Sequence, residues 1–160
     1  MIKVRAARKN DFEAFWKLES EFREYNNKHE LIEGFKYELD KTRLNKAFLK
    51  QLKQKDSIFI FAENNRIPIG FLFGCIKTIT RGGYISNCGK IGYLQSIFIS
   101  EKHRGKGHSK LLLSHLFDFL RNKKVKLCTL HVNTYNTAAI KAYEKAGFKG
   151  PDQYRLYKEL

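Results

Sequence analysis

The residues best equipped for chemistry sit in one short stretch, Arg104-Gly105-Lys106-Gly107-His108-Ser109-Lys110, which follows the apolar run Ile97-Phe98-Ile99 and precedes a leucine-rich helical pattern. Glycines let a backbone turn tightly and approach a ligand, and the first N–H groups of the following helix have no partner within it. Such a turn can hold a pyrophosphate on oriented amides and the positive helix end. Arg104, Lys106 and Lys110 add formal charge at the same point. Two better-known phosphate loops are excluded by spacing. A Walker loop needs G-x-x-x-x-G-K-[ST], but Gly83 to Gly89-Lys90 has one residue too many, with Ile91 in the hydroxyl position. A dinucleotide fingerprint needs a third small residue in G-x-G-x-x-G, where this chain has Lys110. From spacing alone, glycines that merely make a turn stay open as the alternative.

The elements that must position this loop follow from periodicity. Ile2, Val4 and Ala6 alternate as a strand, and Asn10 with Glu13 has capping-box spacing ahead of Phe12, Phe15, Trp16, Phe22 and Tyr25 on one helical face. This predicts a first helix of about four turns. A second helical pattern runs through Leu44, Ala47, Phe48 and Leu52. Ser57–Ala62 and Ile67–Ile79 then read as strands joined by turn chemistry at Glu63-Asn64-Asn65-Arg66. A glycine-rich loop from Arg81 to Gly89 leads to a strand from Ile91 to Ile99, and the phosphate loop opens a helix near Lys106. Val125–Val132 is a predicted strand, Thr137–Ala146 a helix, and Phe148–Tyr157 one or two closing strands. Strand–helix–strand units require parallel pairing and the hairpin requires antiparallel pairing, so a mixed sheet with helices on its faces satisfies both.

The stretch Arg104–Ser109 resembles the acetyl-CoA motif R/Q-x-x-G-x-G/A of the GNAT N-acetyltransferases. Leu130-His131-Val132, followed by Asn136, Ala139, Tyr143 and Gly147-Phe148, is similar to that superfamily's second signature, L-x-V-x-x-x-N-x-x-A-x-x-x-Y-x-x-x-G-F. The two motifs cover residues 91–149 in the right order; the first half matches in element order alone. Ser109 departs from the usual Gly or Ala but is the next smallest choice.

The resemblance implies an α/β (α+β) fold of GNAT type. Its mixed, mostly antiparallel sheet has six to seven strands flanked by about four helices, in the order β-α-α-β-β-β-α-β-α-β(-β). It implies a single domain over residues 1–160: acceptor-side elements in 1–56, central strands in 57–99, acetyl-CoA motifs in 100–149 and a closing strand in 150–160. It further implies that the strands around Ile97 and Leu130 splay apart, with the pantetheine arm of acetyl-CoA on the backbone edge of Ile97, Phe98 and Ile99. The amides of Gly105, Lys106, Gly107, His108, Ser109 and Lys110 would hold the pyrophosphate. Asn136 would contact the cofactor; read from position alone, it is a helix N-cap.

Acetyl transfer to an amine needs a neutral amine, a stabilised oxyanion and a proton for the leaving thiolate. Tyr143 stands where the family places its thiol-protonating tyrosine, and a core aromatic is the alternative. Leu94-Gln95-Ser96 lacks the carboxylate that many members place on this strand. A second solution in the superfamily puts the base at the position of His131, and the combination with Tyr93 is similar to protein N-terminal acetyltransferases that use a Tyr/His pair. An α-amine of pKa about 8 costs about 1.4 kcal/mol to deprotonate at pH 7, a lysine-like amine about 4.6. Imidazole is matched to the first task. A polar residue on a strand edge is the alternative for His131. His103 and His108 flank the loop, and His115 has a structural place on its helix.

Composition frames the partners. The 160 residues carry 31 Lys+Arg against 16 Asp+Glu, a formal net charge of +15, which implies a polyanionic partner. Residues 11–40 nevertheless hold nine acids and four bases, and the resemblance implies that this stretch forms the acceptor wall, so a basic cofactor side would face an acidic acceptor side. The acids would attract a small cationic amine such as a polyamine or aminoglycoside-like amine, whereas the Tyr/His pair suits a peptide N-terminus. A solvated helix face is the third reading of the acids.

No apolar run approaches the roughly 18 residues of a membrane span, and Met1-Ile2-Lys3-Val4-Arg5 offers no apolar leader. The expected compartment is the cytoplasm, with no membrane partner, as monomer or homodimer. Three cysteines without C-x-x-C spacing predict neither a disulfide framework nor a metal. A non-catalytic acyl-CoA sensor and a basic nucleic-acid-binding module are the competing classes; the charge leaves the second open, and the lack of any nucleic-acid motif argues against it.

Overall fold

In the computed structural model, residues 1–29, 38–78 and 89–150 are described. The first strand, β1 (Ile2–Ala6), leads through a 3-10 turn at Lys9–Asp11 into α1 (Phe12–His29). Then come α2 (Lys41–Lys53), β2 (Ser57–Asn64), β3 (Ile67–Thr78) and β4 (Lys90–Ile99). A second 3-10 turn at Glu101–His103 precedes α3 (His108–Asn122), β5 (Cys128–Leu130) and α4 (Thr137–Lys145). The element order is the expected one. The predicted closing strand beyond Gly150 and most of the loop from Arg81 to Gly89 lie outside the described residues. Five strands are therefore described where six to seven were expected, in the order β1-β2-β3-β4-β5. The first three pairings are antiparallel, and β4 pairs with β5 in parallel.

The two faces of the sheet have different chemistry. Phe59, Phe61, Phe71, Phe73 and Phe98 pack with Phe15, Leu18 and Phe48 of α1 and α2. Ile60, Ala62, Leu72, Leu94 and Ile99 pack with Leu112, Leu113, Leu116 and Leu120 of α3. Strand alternation sorts aromatic from aliphatic residues, and each fully buried side chain contributes about 1.5–3 kcal/mol. Gly92 lets α3 approach closely, because a Cβ there would lie 2.5 Å from the Leu120 side chain.

One irregularity matters for the site. Phe73 pairs with Ser96 and Gly74 with Leu94, so Gln95 is an extra residue in β4. An extra residue reverses alternation. Leu94, Ile97 and Ile99 consequently share the α3 face, while Phe98 turns to the aromatic face.

Three local expectations are corrected. Asn10 and Glu13 do not cap α1. Asp11 instead closes the preceding 3-10 turn, accepting the Arg8 N–H at 2.6 Å and a two-pronged bond from Arg5 at 2.6 and 2.7 Å. The helix then runs five turns rather than four. The helix after the phosphate loop begins at His108, not near Lys106, because Gly107 is left-handed at φ +79. The strand expected over Val125–Val132 shrinks to three residues. Lys124 is left-handed and the Val125 N–H is still tied to Leu120 O, so strand geometry starts late.

Asp40 caps α2 by accepting the Arg43 N–H at 2.7 Å. Asp40→Ala is expected to cost about 1 kcal/mol, lowering Tm by roughly 2–4 °C in thermal unfolding without affecting the distant site.

Candidate active site

The site is built on a seam between β4 and β5. Their pairing ends at Leu94 opposite Leu130, while β4 continues to Ile99. The Gln95 bulge decides which backbone groups face the seam. Gly92 N–H reaches Leu127 O at 2.8 Å, so before the bulge even-numbered residues point to the β5 side. Ser100 N–H reaches Ile69 O at 2.9 Å, so after it the groups of Ile97 and Ile99 point there instead. The Ile99 carbonyl accepts the Arg104 Nε–H at 3.0 Å. This leaves both backbone groups of Ile97 and the N–H of Ile99 for an extended ligand. Phe98 is turned away into the aromatic cluster, 5.2 Å from the Phe22 ring.

At the far end of that edge lies the start of α3. Gly105 and Gly107 are both left-handed, and nothing comes within 4 Å of where a Cβ would stand. The helical ladder begins with Leu111 N–H to Gly107 O at 3.2 Å. Among the described residues, the N–H groups of His108, Ser109 and Lys110 have no acceptor, and the first turn holds no acid. Arg104, Lys106 and Lys110 are exposed around them. Open donors, a positive dipole end and three cations make an anion cradle that fits a pyrophosphate.

Two residues not anticipated from sequence brace this cradle. Glu21 of α1 accepts the Glu101 N–H at 2.8 Å and the Ser100 hydroxyl at 3.1 Å, capping the turn before the loop. Tyr25 places its ring 4.9 Å from the Arg104 guanidinium and its hydroxyl 3.5 Å from Asn136 Oδ1. Asn136 also accepts the Ala139 N–H at 3.2 Å and so is the N-cap of α4.

Where the seam closes, the structure brings Tyr93 and His131 together. The Tyr93 hydroxyl lies 2.9 Å from His131 Nδ1, with the rings edge to face at 5.6 Å. Alternation explains the meeting. Tyr93 pairs with Thr129, and His131, two residues further on, shares that face. His131 is exposed, directly beyond the last paired residue of β5.

Tyr143 lies elsewhere. It packs into the aliphatic cluster on the α3 face, 5.8 Å from the Phe148 ring. The sheet thus separates Tyr143 from the Tyr93–His131 pair, with the open seam between them. Burial pushes the Tyr143 phenol up to about 12. At that value it stays protonated at neutral pH and can act as a hydrogen-bond donor to a thiolate rather than a free proton source. A phenol raised above its unfolded value contributes stability that is intact below pH 10 and lost as pH rises toward 12. Tyr143→Phe is expected to remove that alkaline loss, about 2–3 kcal/mol in denaturant titrations, and to lower turnover about tenfold.

The acids of residues 11–40 are largely engaged. Glu19 is 4% exposed and bonded to Arg23 at 2.7 Å; burial raises its carboxyl against the pull of Arg23. Glu13 pairs with Lys41 and Glu24 with Lys28, both at 2.9 Å. Together with Asp11, Glu21 and Asp40, six of the seven described acids in this stretch serve internal contacts. His115 bonds the Leu111 carbonyl at 3.0 Å, in keeping with a structural place. Cys75 and Cys128 are free thiols, and burial pushes Cys128 up to about 11, so it is inert as a nucleophile. Among the described residues no three His, Cys, Asp or Glu side chains gather as a metal site, and no helix is long and apolar enough to cross a membrane.

A splayed parallel seam feeding an open helix start defines an acyltransferase scaffold, and comparison with known proteins agrees. Residues 12–148 match the Acetyltransferase (GNAT) family, and the chain belongs to it. It is 26% identical over 151 residues to the uncharacterized N-acetyltransferase YhfO of Bacillus subtilis, spanning 92% of this chain and 90% of that protein. The fold matches the tetramutant of the BH1408 protein from Bacillus halodurans with TM-score 0.81 at 16% identity, covering 98% and 99% of the two chains. It matches the aminoglycoside N-acetyltransferase AAC(6')-Iy, in complex with CoA, with TM-score 0.77 at 18% identity, covering 99% and 95%. The protein is a GNAT N-acetyltransferase.

Proposed function

We propose that the chain transfers acetyl from acetyl-CoA to the α-amine of a peptide or protein N-terminus by direct attack, with Tyr93 and His131 passing on the amine's proton. The carrying observation is the 2.9 Å contact between Tyr93 Oη and His131 Nδ1 where the seam closes. Acetyl-CoA supplies an activated acyl group. The open amides from Gly105 to Lys110 orient its pyrophosphate, and the free edge at Ile97 and Ile99 aligns its arm over about 16 Å from Ile99 toward Leu94. The acyl end then lies at the closure of the seam. His131 and Tyr93 meet the nucleophile on the aromatic face, and Tyr143 stabilises the departing sulfur from the aliphatic face. A base and a hydrogen-bond donor on opposite sides of the reacting carbon suit a one-step displacement.

The likeness to an aminoglycoside N-acetyltransferase supports a second reading, a small cationic amine as acceptor. The engagement of Glu13, Glu19, Glu21 and Glu24 in internal contacts weakens it, because paired carboxylates attract a cation less. A thiol-release assay with acetyl-CoA separates the readings. Turnover with free peptides and none with N-terminally blocked peptides lacking lysine is the expected result. Turnover confined to polyamines or aminoglycosides would overturn the peptide reading, and none with any amine would leave an acyl-CoA sensor.

A further inference from the structure

Lys77 belongs to no motif, yet it completes a row of side chains that runs from β3 across β4 to the residue just past β5. It lies two residues beyond Cys75, the cross-strand partner of Tyr93, so it occupies the same face of β3 on the diagonal. Its Nζ stands 3.4 Å from the centre of the Tyr93 ring. On the other side of Tyr93 is His131, 2.9 Å from the phenol oxygen. Lys77 makes no ion pair among the described residues, and Cys75, on the same face, is buried. Among the described residues the ammonium therefore acts on the Tyr93 ring. A cation over an aromatic face draws electron density from the ring and its oxygen, which makes the phenol a better donor and a poorer acceptor.

We propose that Lys77 is a positioning residue that fixes the direction of the Tyr93–His131 hydrogen bond, with the phenol donating and Nδ1 accepting; the inference rests on the reading of this pair as the proton acceptor. The direction decides the path of the proton. With the phenol as donor, the acceptor ammonium releases its proton, directly or through water, to the Tyr93 oxygen while the phenol's own proton moves to His131 Nδ1. One N–H bond breaks, the phenol O–H is exchanged, and one N–H bond forms. The charge passes from the ammonium to the imidazolium, and Tyr93 ends neutral. With the reverse direction, Nδ1 already carries a proton and Tyr93 cannot hand on its own. Lys77 also stabilises the negative character that develops on the phenol oxygen as its proton leaves for Nδ1, before that oxygen takes up the proton of the ammonium.

The test compares Lys77→Met and Lys77→Arg with the unmodified protein, by steady-state kinetics on a free peptide and by 15N NMR of the neutral His131 ring, assigned by subtraction with His131→Gln. Lys77→Met is expected to lower kcat about tenfold with the KM for acetyl-CoA unchanged, and Lys77→Arg to restore most of it. The unmodified protein should show the Nε2–H tautomer, and Lys77→Met a mixture. An unmodified protein with the proton on Nδ1 overturns the proposal, as does a Lys77→Met protein with unchanged tautomer, whatever its kcat. Should no amine be acetylated, the functional reading fails while the tautomer comparison still decides the role of Lys77.

Discussion

Ser109→Asp is expected to leave the fold intact or slightly more stable while abolishing useful affinity for acetyl-CoA. Ser109 is the second residue of α3, in a first turn that contains no acid. A carboxylate there complements the helix dipole and contributes about 0.3–1 kcal/mol. The same carboxylate stands where the open N–H groups of His108, Ser109 and Lys110 await an anion. Two or three charge-assisted bonds at about 1.5–3 kcal/mol each are weakened, and two negative charges are brought together. A loss of at least 10²-fold follows, about 2.8 kcal/mol. Calorimetry with acetyl-CoA and thermal unfolding without it measure the two signs separately. Ser109→Ala, which keeps the backbone donors, should bind within about threefold of the unmodified protein. A Ser109→Asp protein that retains near-native affinity would remove the start of α3 as the phosphate site.

The tight turn and the open helix start were legible because glycine spacing and a following helix are local properties, and the loop between Arg104 and Ser109 holds all of them. The strands β2 and β3 were legible for the same reason, since their β-prone runs and the turn between them are written in consecutive residues. What could not be read is register. Nothing in Leu94-Gln95-Ser96 marks the extra residue that turns Ile97 and Ile99 toward the seam. It exists because β3 and β4 must keep their buried faces on both sides of the Phe73/Gly74 shift. The short β5 has a similar origin: Val125–Leu127 alternate well enough, but a left-handed Lys124 and the divergence from β4 beyond Leu94 limit pairing to three residues.

The site divides in the same way. His131 and Tyr93 are 38 residues apart, and their contact depends on the parallel register Tyr93↔Thr129, which no local pattern encodes. Family resemblance, not spacing, brought them to notice. Lys77 is harder still, because it needs the β3–β4 register as well. Tyr25 carried a weak signal: a tyrosine ending a row of phenylalanines has a hydroxyl that must find a polar partner, and it finds Asn136. The acidic stretch has the opposite difficulty. A local excess of Asp and Glu says nothing of whether each is already bonded, and Glu19 and Glu21 are tied to Arg23 and to the turn at Ser100.

The Tyr93–His131 pair also makes the sharpest kinetic demand. His131→Ala is expected to lower kcat/KM on a free peptide by about 10²–10³ at pH 7, and Tyr93→Phe by a similar factor. His131 is exposed, so its removal should leave stability within about 0.5 kcal/mol. If the two residues form one relay, removing both costs no more than removing the worse one, and the cycle is strongly non-additive. Two independent contributions would multiply instead. The deficit should also depend on the acceptor's own ionisation. An α-amine of pKa about 8 is roughly a tenth neutral at pH 7 and mostly neutral at pH 9, so the need for a base fades across that range. The ratio of native to His131→Ala activity is therefore expected to shrink by up to about tenfold between those pH values. A ratio that stays constant would mean that His131 positions the substrate without taking its proton, because positioning is indifferent to whether the amine arrives charged.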